Sequence, residues 1–393
     1  MALRDVIGSW AVGGDAAAGG AVGGGAVLEI AGVRIPVVGT ARVYVCGITP
    51  YDTTHLGHAA TFVWTDVAAR VLHLAGAHVD VCRNVTDVDD HLLAEAAARH
   101  VPWRSLASQQ TYRFEQDATD LGLARPAFEP RSHDYVDDVI ALGLELVHQG
   151  HAYVRDGTVL FRGAGVPERA GLDREAALAA LAATGPDPAA DDPLDTAIWQ
   201  RSTGDEPGWP SPWGHGRPGW HVECAAMAVS TFGPTVDLHG GGEDLRFPHH
   251  AYEAAIAEAF TGVAPFSRAY MHVGTVMVDG RKMAKSTGNL VFVHDLLERS
   301  SAAALRYLLL SRPWREPWSF DEADLGRAER ELHALWRGAG TPVDREGARR
   351  AVVAALLDDL DVPRALGVAS EAGGAVLAEL IEFLGLTDTS TWW

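Results

Sequence analysis

One short segment changes hydrophobic period twice, and that change limits the fold more than any other feature of the chain. Residues 41–48, ARVYVCGI, are an apolar run of strand length. After a polar turn, Ala60, Phe62, Val63, Val67, Val71 and Leu72 recur at helical spacing up to Gly76, and a second strand-like run, HVDVCRNV, follows at 78–85. Strand, turn, helix, strand is a βαβ unit. Such a unit implies a parallel sheet with a right-handed crossover, and a ligand bound outside the carboxyl ends of its strands.

The rest of the chain is arranged around that unit. Residues 1–39 are an N-terminal segment, in which AVGGDAAAGGAVGGG is a flexible lead-in and AVLEIAGVRIPVV a small hairpin. Residues 40–300 are expected to be a Rossmann-type domain, interrupted at about 115–205 by a mainly helical insertion that ends in the loop-like LAATGPDPAADDPLD. Strand signals return in TVDLHGGGEDL and AYMHVGTVMVDG. Residues 301–393 carry amphipathic helical patterns such as ADLGRAERELHALWRGAG, with no internal repeat.

Composition removes several functions. With 32 Lys and Arg against 52 Asp and Glu, the net charge is −20, which opposes binding to a polyanion and disfavours nucleic acid as a partner. No apolar run is long enough for a membrane span or a signal peptide, so a cytoplasmic protein is expected. Three cysteines, far apart and odd in number, argue for free thiols rather than a disulfide framework.

Four stretches carry chemistry. In HLGH, residues 55–58, a glycine at a helix start allows close approach of a phosphate, and His55 and His58 can donate to its oxygens as charge develops. Alone, the pair reads equally well as a solvated helix start. In DGRKMAKSTGN, residues 279–289, Lys282 and Lys285 lie three apart beside Ser286, suited to closing on a triphosphate. In DLHGGGEDLRFPHHAYEAAIAEA, residues 237–259, Gly240, Gly241 and Gly242 leave room for a purine or ribose, and Asp244 can hold a hydroxyl or an ammonium. There Pro248 is expected to open a helix that sets His249 and Glu253 four apart on one face. RPGWHVECAAMA, residues 217–228, adds Cys224 beside Trp220, whereas Cys82 reads as inert filler in a strand. Cys46, Cys224, His249 and Glu253 together offer two thiolates, an imidazole and a carboxylate, a donor set suited to zinc.

In order, CGITPYDTTHLGH, NVTDVDD, RPGWHVECAAMA, HGGGEDLRFPHH and KMAKSTGN resemble the cysteinyl-tRNA synthetases and the related mycothiol cysteine ligases, over about residues 40–300. The resemblance implies an α/β class I synthetase fold with a Rossmann-like parallel sheet, and ATP with Mg2+ as substrate. It implies His55, His58, Lys282 and Lys285 as catalytic groups. Gly47, Ile48, Thr49, Gly57, Thr61, Asn84, Gly240, Gly241, Gly242, Asp244, Met277 and Ser286 would hold the adenylate, with Thr86 and Trp220 around L-cysteine. One Zn2+ on Cys46, Cys224, His249 and Glu253 would take the substrate sulfur. Only about a hundred residues follow KMAKSTGN, with no basic strip, so no anticodon-binding module is expected. Together with the acidic charge and the CGIT turn, this favours a small amine acceptor, the amino sugar glucosaminyl-inositol. Ala284 in KMAKS, ATGPDP at 183–188 and Glu253 depart from the ligase pattern, which keeps open another amine acceptor, as a shortened C-terminus keeps open tRNA charging.

Overall fold

The computed structural model describes residues 27–387, apart from 52–53, 183–184, 186, 205, 284–286 and 341–346. The Gly/Ala-rich lead-in, Lys285, Ser286 and part of ATGPDP therefore lie outside the described residues. β1 (Val27–Ile30) and β2 (Val33–Pro36) form the expected antiparallel hairpin. β3 (Thr40–Ile48), α1 (Leu56–Leu74) and β4 (His78–Val85) are the βαβ unit, with β3 and β4 parallel. The six apolar α1 positions read from the sequence are all buried.

α2 (Asp90–Ala98) and α3 (Trp103–Asp120) lead into the insertion, which contains α4 (Val136–His148) and α5 (Arg174–Leu181). Beside its helices the insertion carries an antiparallel sheet of β5 (Ala152–Arg155), β6 (Thr158–Phe161), β7 (Thr196–Arg201) and β8 (Gly216–Pro218), in that order. These strands are short and few alternate cleanly, so they leave little periodic signal. The chain then re-enters the main sheet through α6 (Trp220–Phe232), β9 (Val236–Gly242), α7 (Ala251–Thr261) and β10 (Ser267–Val273). The main sheet has the order β10-β9-β3-β4 and is parallel throughout, as the βαβ unit requires.

A small three-stranded sheet joins β11 (Val276–Val278), β12 (Arg281–Lys282) and β13 (Trp318–Phe320). The C-terminal region is helical: α8 (Val293–Leu297), α9 (Ala302–Leu310), α10 (Glu322–Ala339), α11 (Ala348–Leu357), α12 (Val362–Ala372) and α13 (Gly374–Phe383). These helices share one continuous apolar core with α1 and one face of the parallel sheet, while α4, α6 and α7 cover the other face. No described helix is long and apolar enough to cross a membrane.

Arg306 ties the C-terminal helices to the sheet layer. It is 1% exposed, and it donates from Nη2 to Asp66 Oδ2 at 3.0 Å, from Nη1 to Leu121 O at 2.9 Å and from Nε to Leu384 O at 3.0 Å. Burial alone would raise the Asp66 carboxyl, but Arg70 and Arg306 beside it hold it below its usual range. Removing one partner of a buried pair costs far more than the pair contributes. Arg306→Met is expected to destabilise the protein by about 3 kcal/mol or more, read as a lowered urea midpoint.

Candidate active site

At the carboxyl ends of β3, β4, β9 and β10 lies a cavity of about 470 Å3, where the sheet topology calls for a ligand. β3 enters it with Cys46 and Gly47 and the turn after it with Thr49, β4 with Asn84 and the residue after it, Thr86, β9 with Gly242, and β10 with Val273. Gly47 is demanded by the closeness of the two strands: a Cβ there would sit 1.8 Å from Asn84 O. Its N–H instead donates to Asn84 Oδ1 at 2.7 Å, while Thr49 Oγ1 and Thr86 Oγ1 are 2.8 Å apart.

His55 and His58 line one end. His55 is the N-cap of α1, accepting at Nδ1 from Gly57 N at 3.1 Å and His58 N at 3.4 Å, which leaves its proton on Nε2. A histidine thus does the work usually done by serine or aspartate. His58 stacks on it with centroids 3.7 Å apart. Its Nδ1 is buried with no hydrogen-bond partner among the described residues, and burial pushes the imidazole down to about 4, so it is neutral at pH 7. Backbone bonds from Leu56 N to Val291 O (2.8 Å) and Val293 N to Thr54 O (3.0 Å) clip this turn to the segment that follows the lysine loop. Lys282 lines the cavity, with Nζ 2.8 Å from Asp244 Oδ2. Both side chains are about half exposed, so the pair is worth ~0–1 kcal/mol, and Lys282 is readily given up to a phosphate.

At the other end, Cys46, Cys224 and His249 form part of the lining, with Glu253 beneath them at 0% exposure. One ligand atom from each of the four lies within 4.8 Å of every other. Cys224 is carried by α6, and Glu253 by α7. As expected from Pro248, a helix opens there: Phe247 is extended (φ −142°, ψ 133°), the residues after it are helical and run into α7, and His249 and Glu253 stand four apart. This brings His249 Nε2 to 3.2 Å from Cys224 Sγ and 3.9 Å from Glu253 Oε2, and Cys46 Sγ is 3.6 Å from that oxygen.

Zinc bonds of about 2.3 Å to sulfur and about 2.0–2.1 Å to nitrogen or oxygen, at tetrahedral angles, need edges of about 3.6 Å for S–N and S–O and about 3.4 Å for N–O. The three separations bracket those values. A second grouping, Cys46, His239, His250 and Glu253, is equally compact, but its His239 Nε2 to Glu253 Oε2 distance is 2.8 Å. That is a hydrogen bond, short of a metal-ligand edge. Neither His239 nor His250 lines the cavity. The cavity-side set therefore fits a metal, and His239 is a partner of its carboxylate. Burial, then Cys224 and Glu253 close by, push the Cys46 thiol up, which a metal would reverse by displacing its proton. Burial, then His221 and His239, push His249 down to the neutral form that a metal takes.

Trp220 stacks on His249 with centroids 4.1 Å apart and shares the lining with Thr86, Gly57, Thr61, Gly242 and Asp244. Ile48, Gly240, Gly241 and Met277 do not line it. Ile48 is buried in the core. A Cβ on Gly240 would meet Thr65, and one on Gly241 the His250 ring, so those two glycines serve packing. Met277 lies on β11 opposite Lys282 in the register, and Met283 reaches the cavity instead. Tyr51 and Leu290 in the lining, and the buried histidines 239, 250 and 272, were not singled out from the sequence, and Phe62 was read only as a core position. His239 and His250 stood inside HGGGEDLRFPHH, where their residue type was the only signal.

Residues 35–330 match the family described as tRNA synthetases class I (C) catalytic domain. The chain is 43% identical over 350 residues to the L-cysteine:1D-myo-inositol 2-amino-2-deoxy-alpha-D-glucopyranoside ligase of Frankia casuarinae, covering 86% of this chain and 75% of that protein. It is 42% identical over 361 residues to the ligase of the same name from Acidothermus cellulolyticus, covering 88% and 89%. It is also 42% identical over 343 residues to the cysteine–tRNA ligase of Alkalilimnicola ehrlichii, covering 85% and 74%. Among solved structures, Mycobacterium tuberculosis methionyl-tRNA synthetase bound by methionyl-adenylate superposes with a TM-score of 0.63 at 20% identity, over 88% of this chain and 84% of that one.

Proposed function

The chain belongs to the class I tRNA synthetases, in the (C) catalytic-domain family, and from that membership we propose that it activates L-cysteine with ATP and transfers the cysteinyl group to an amine, the amino sugar glucosaminyl-inositol. The observation that carries the reading is the meeting of Cys46, Cys224, His249 and Glu253 at the floor of the same cavity that holds His55, His58 and Lys282. Those four side chains would hold a zinc ion, which would supply a borderline-soft Lewis acid that prefers thiolate to a serine hydroxyl.

The remaining chemistry belongs to position and charge. Trp220 and Thr86 flank the amino acid, and the cavity lies between the metal set and the HLGH turn, so the cysteine carboxylate is directed at the α-phosphorus of ATP-Mg. Attack releases pyrophosphate and leaves cysteinyl-adenylate. Nε2 of His55, neutral His58, Lys282 and Lys285 offset the charge that develops on the phosphates. The acceptor amine then attacks the acyl carbon, the amide bond forms, and AMP leaves. No residue of the protein is bonded to the acyl group at any stage, so orientation supplies the rate.

Two of the relatives above are named as ligases of an amino sugar, and the charge of −20 works against a polyanionic acceptor. The 42% identity to a cysteine–tRNA ligase supports the second reading, in which tRNA is the acceptor. Incubation with cysteine, ATP and either glucosaminyl-inositol, other amines or tRNA, followed by mass spectrometry, separates them. The cysteinyl amide of the amino sugar is the expected product. Cysteinylated tRNA with no amide would move the chain to the second reading.

A further inference from the structure

We propose that His239 is a positioning residue: it holds the Glu253 carboxylate by one oxygen, and so keeps a coordination position of the metal open to the sulfur of the substrate. The inference rests on the metal reading above. His239 stands on β9 and Glu253 on α7, both at 0% exposure, with His239 Nε2 2.8 Å from Glu253 Oε2. The same oxygen faces the metal set, 3.6 Å from Cys46 Sγ and 3.9 Å from His249 Nε2. The other oxygen, Oε1, is buried with no hydrogen-bond partner among the described residues. A carboxylate pinned in this way offers the ion Oε2 and keeps Oε1 turned aside.

The pin is itself rigid. Tyr270 stacks on the His239 ring at 5.5 Å, Tyr44 and Phe266 meet it edge-on at 5.4 and 5.8 Å, and His250 lies against it at 4.0 Å. Nε2 donates to the carboxylate, and Nδ1 is buried with no hydrogen-bond partner among the described residues. Leaving that nitrogen unpaired is tolerated there because turning the ring would break the bond to Glu253.

The consequence concerns the count of ligands. Cys46, Cys224, His249 and one carboxylate oxygen make four, and a zinc site that expands to five can admit one more donor. With His239 removed, the carboxylate is free to turn, and Oε1 becomes that fifth donor in place of the substrate. The residue that orients a ligand thereby decides whether the amino acid is gripped.

The test uses the full chain loaded with cobalt in place of zinc, with absorption read before and after adding cysteine. Wild type is expected to gain a further thiolate-to-cobalt band in the near ultraviolet. His239→Leu is expected to keep its cobalt and the bands of Cys46 and Cys224, yet gain none with cysteine. Its KM for cysteine should rise on the order of 10–100-fold while that for ATP stays within about twofold. His239→Asn, polar but too short to reach the carboxylate, should behave as Leu does, and His239→Gln, which reaches it, should restore the band. A folded His239→Leu or His239→Asn protein that gains the band as wild type does overturns the inference, as does one that simply loses its cobalt. A wild-type protein that holds cobalt but gains no band with cysteine overturns the metal reading together with it.

Discussion

Cys224→Ala is expected to lose its zinc and, with it, its choice of amino acid. Cys224 is 1% exposed, and its sulfur receives the Asn84 amide at 3.0 Å and lies 3.2 Å from His249 Nε2. Alanine removes one of the four proposed zinc ligands and leaves both neighbours facing an empty space. Cysteine-dependent pyrophosphate exchange should fall about 10^3-fold in kcat/KM, equivalent to roughly 4 kcal/mol of transition-state stabilisation. The more telling number is the ratio of cysteine to serine. A site that binds the distinguishing group rejects its analogue by about 10^4–10^5, whereas a merely shaped pocket achieves only about 10–200. The variant should drop from the first range to the second, with zinc content falling in parallel. If it retained both zinc and full discrimination, the assigned ligands would be wrong.

His58→Ala should affect a different quantity. His58 lines the cavity from the first turn of α1, against His55 at 3.7 Å, and is not one of the four residues grouped around the sulfur site. Its partner is a charge that exists only during phosphoryl attack, so its loss should cost on the order of 10^2–10^3-fold in kcat with little change in KM for ATP. The same substitution has a signature in stability. Burial lowers the His58 pKa from the ordinary 6.5 to about 4. The unfolded chain therefore binds a proton that the folded one refuses as pH falls through that interval. The contribution is fully present above pH 6.5 and is lost as pH drops toward 4, so wild-type stability declines over this window. With no imidazole at 58, the slope of the urea midpoint against pH should flatten there by up to one proton. An unchanged slope would mean that the ring titrates normally and is not buried in solution.

The two experiments probe opposite ends of one cavity, and they differ in how far they could be foreseen. The HLGH turn, the strand before it and the helix after it are contiguous, so period and residue type located them directly: all six apolar positions named on α1 are in the core. The metal set is another matter. Cys46 and Glu253 are 207 residues apart, and nothing in either neighbourhood refers to the other. Their donor chemistry suggested zinc, and the helix that Pro248 opens sets His249 and Glu253 four apart as expected, but that spacing says nothing of Cys46 or Cys224. His239 carried no signal beyond being a histidine beside three glycines. Its importance lies in a 2.8 Å contact with a residue on another element. Gly240 and Gly241 show the converse error, since a glycine run at a strand end suggests room for a ligand, yet two of the three make room for Thr65 and His250.

By itself the sequence determined the parallel α/β core, the end of the sheet at which a ligand sits, the acidic surface and the types of donor on hand, because each is written in neighbouring residues or in simple counts. Only the tertiary structure decided which donors lie within 4.8 Å of one another, which glycines face the cavity, and that His239 Nε2 lies 2.8 Å from the Glu253 carboxylate. Coordination and hydrogen bonding depend on distances of a few ångströms between atoms, and for residues on different strands and helices those distances do not exist until the sheet has assembled.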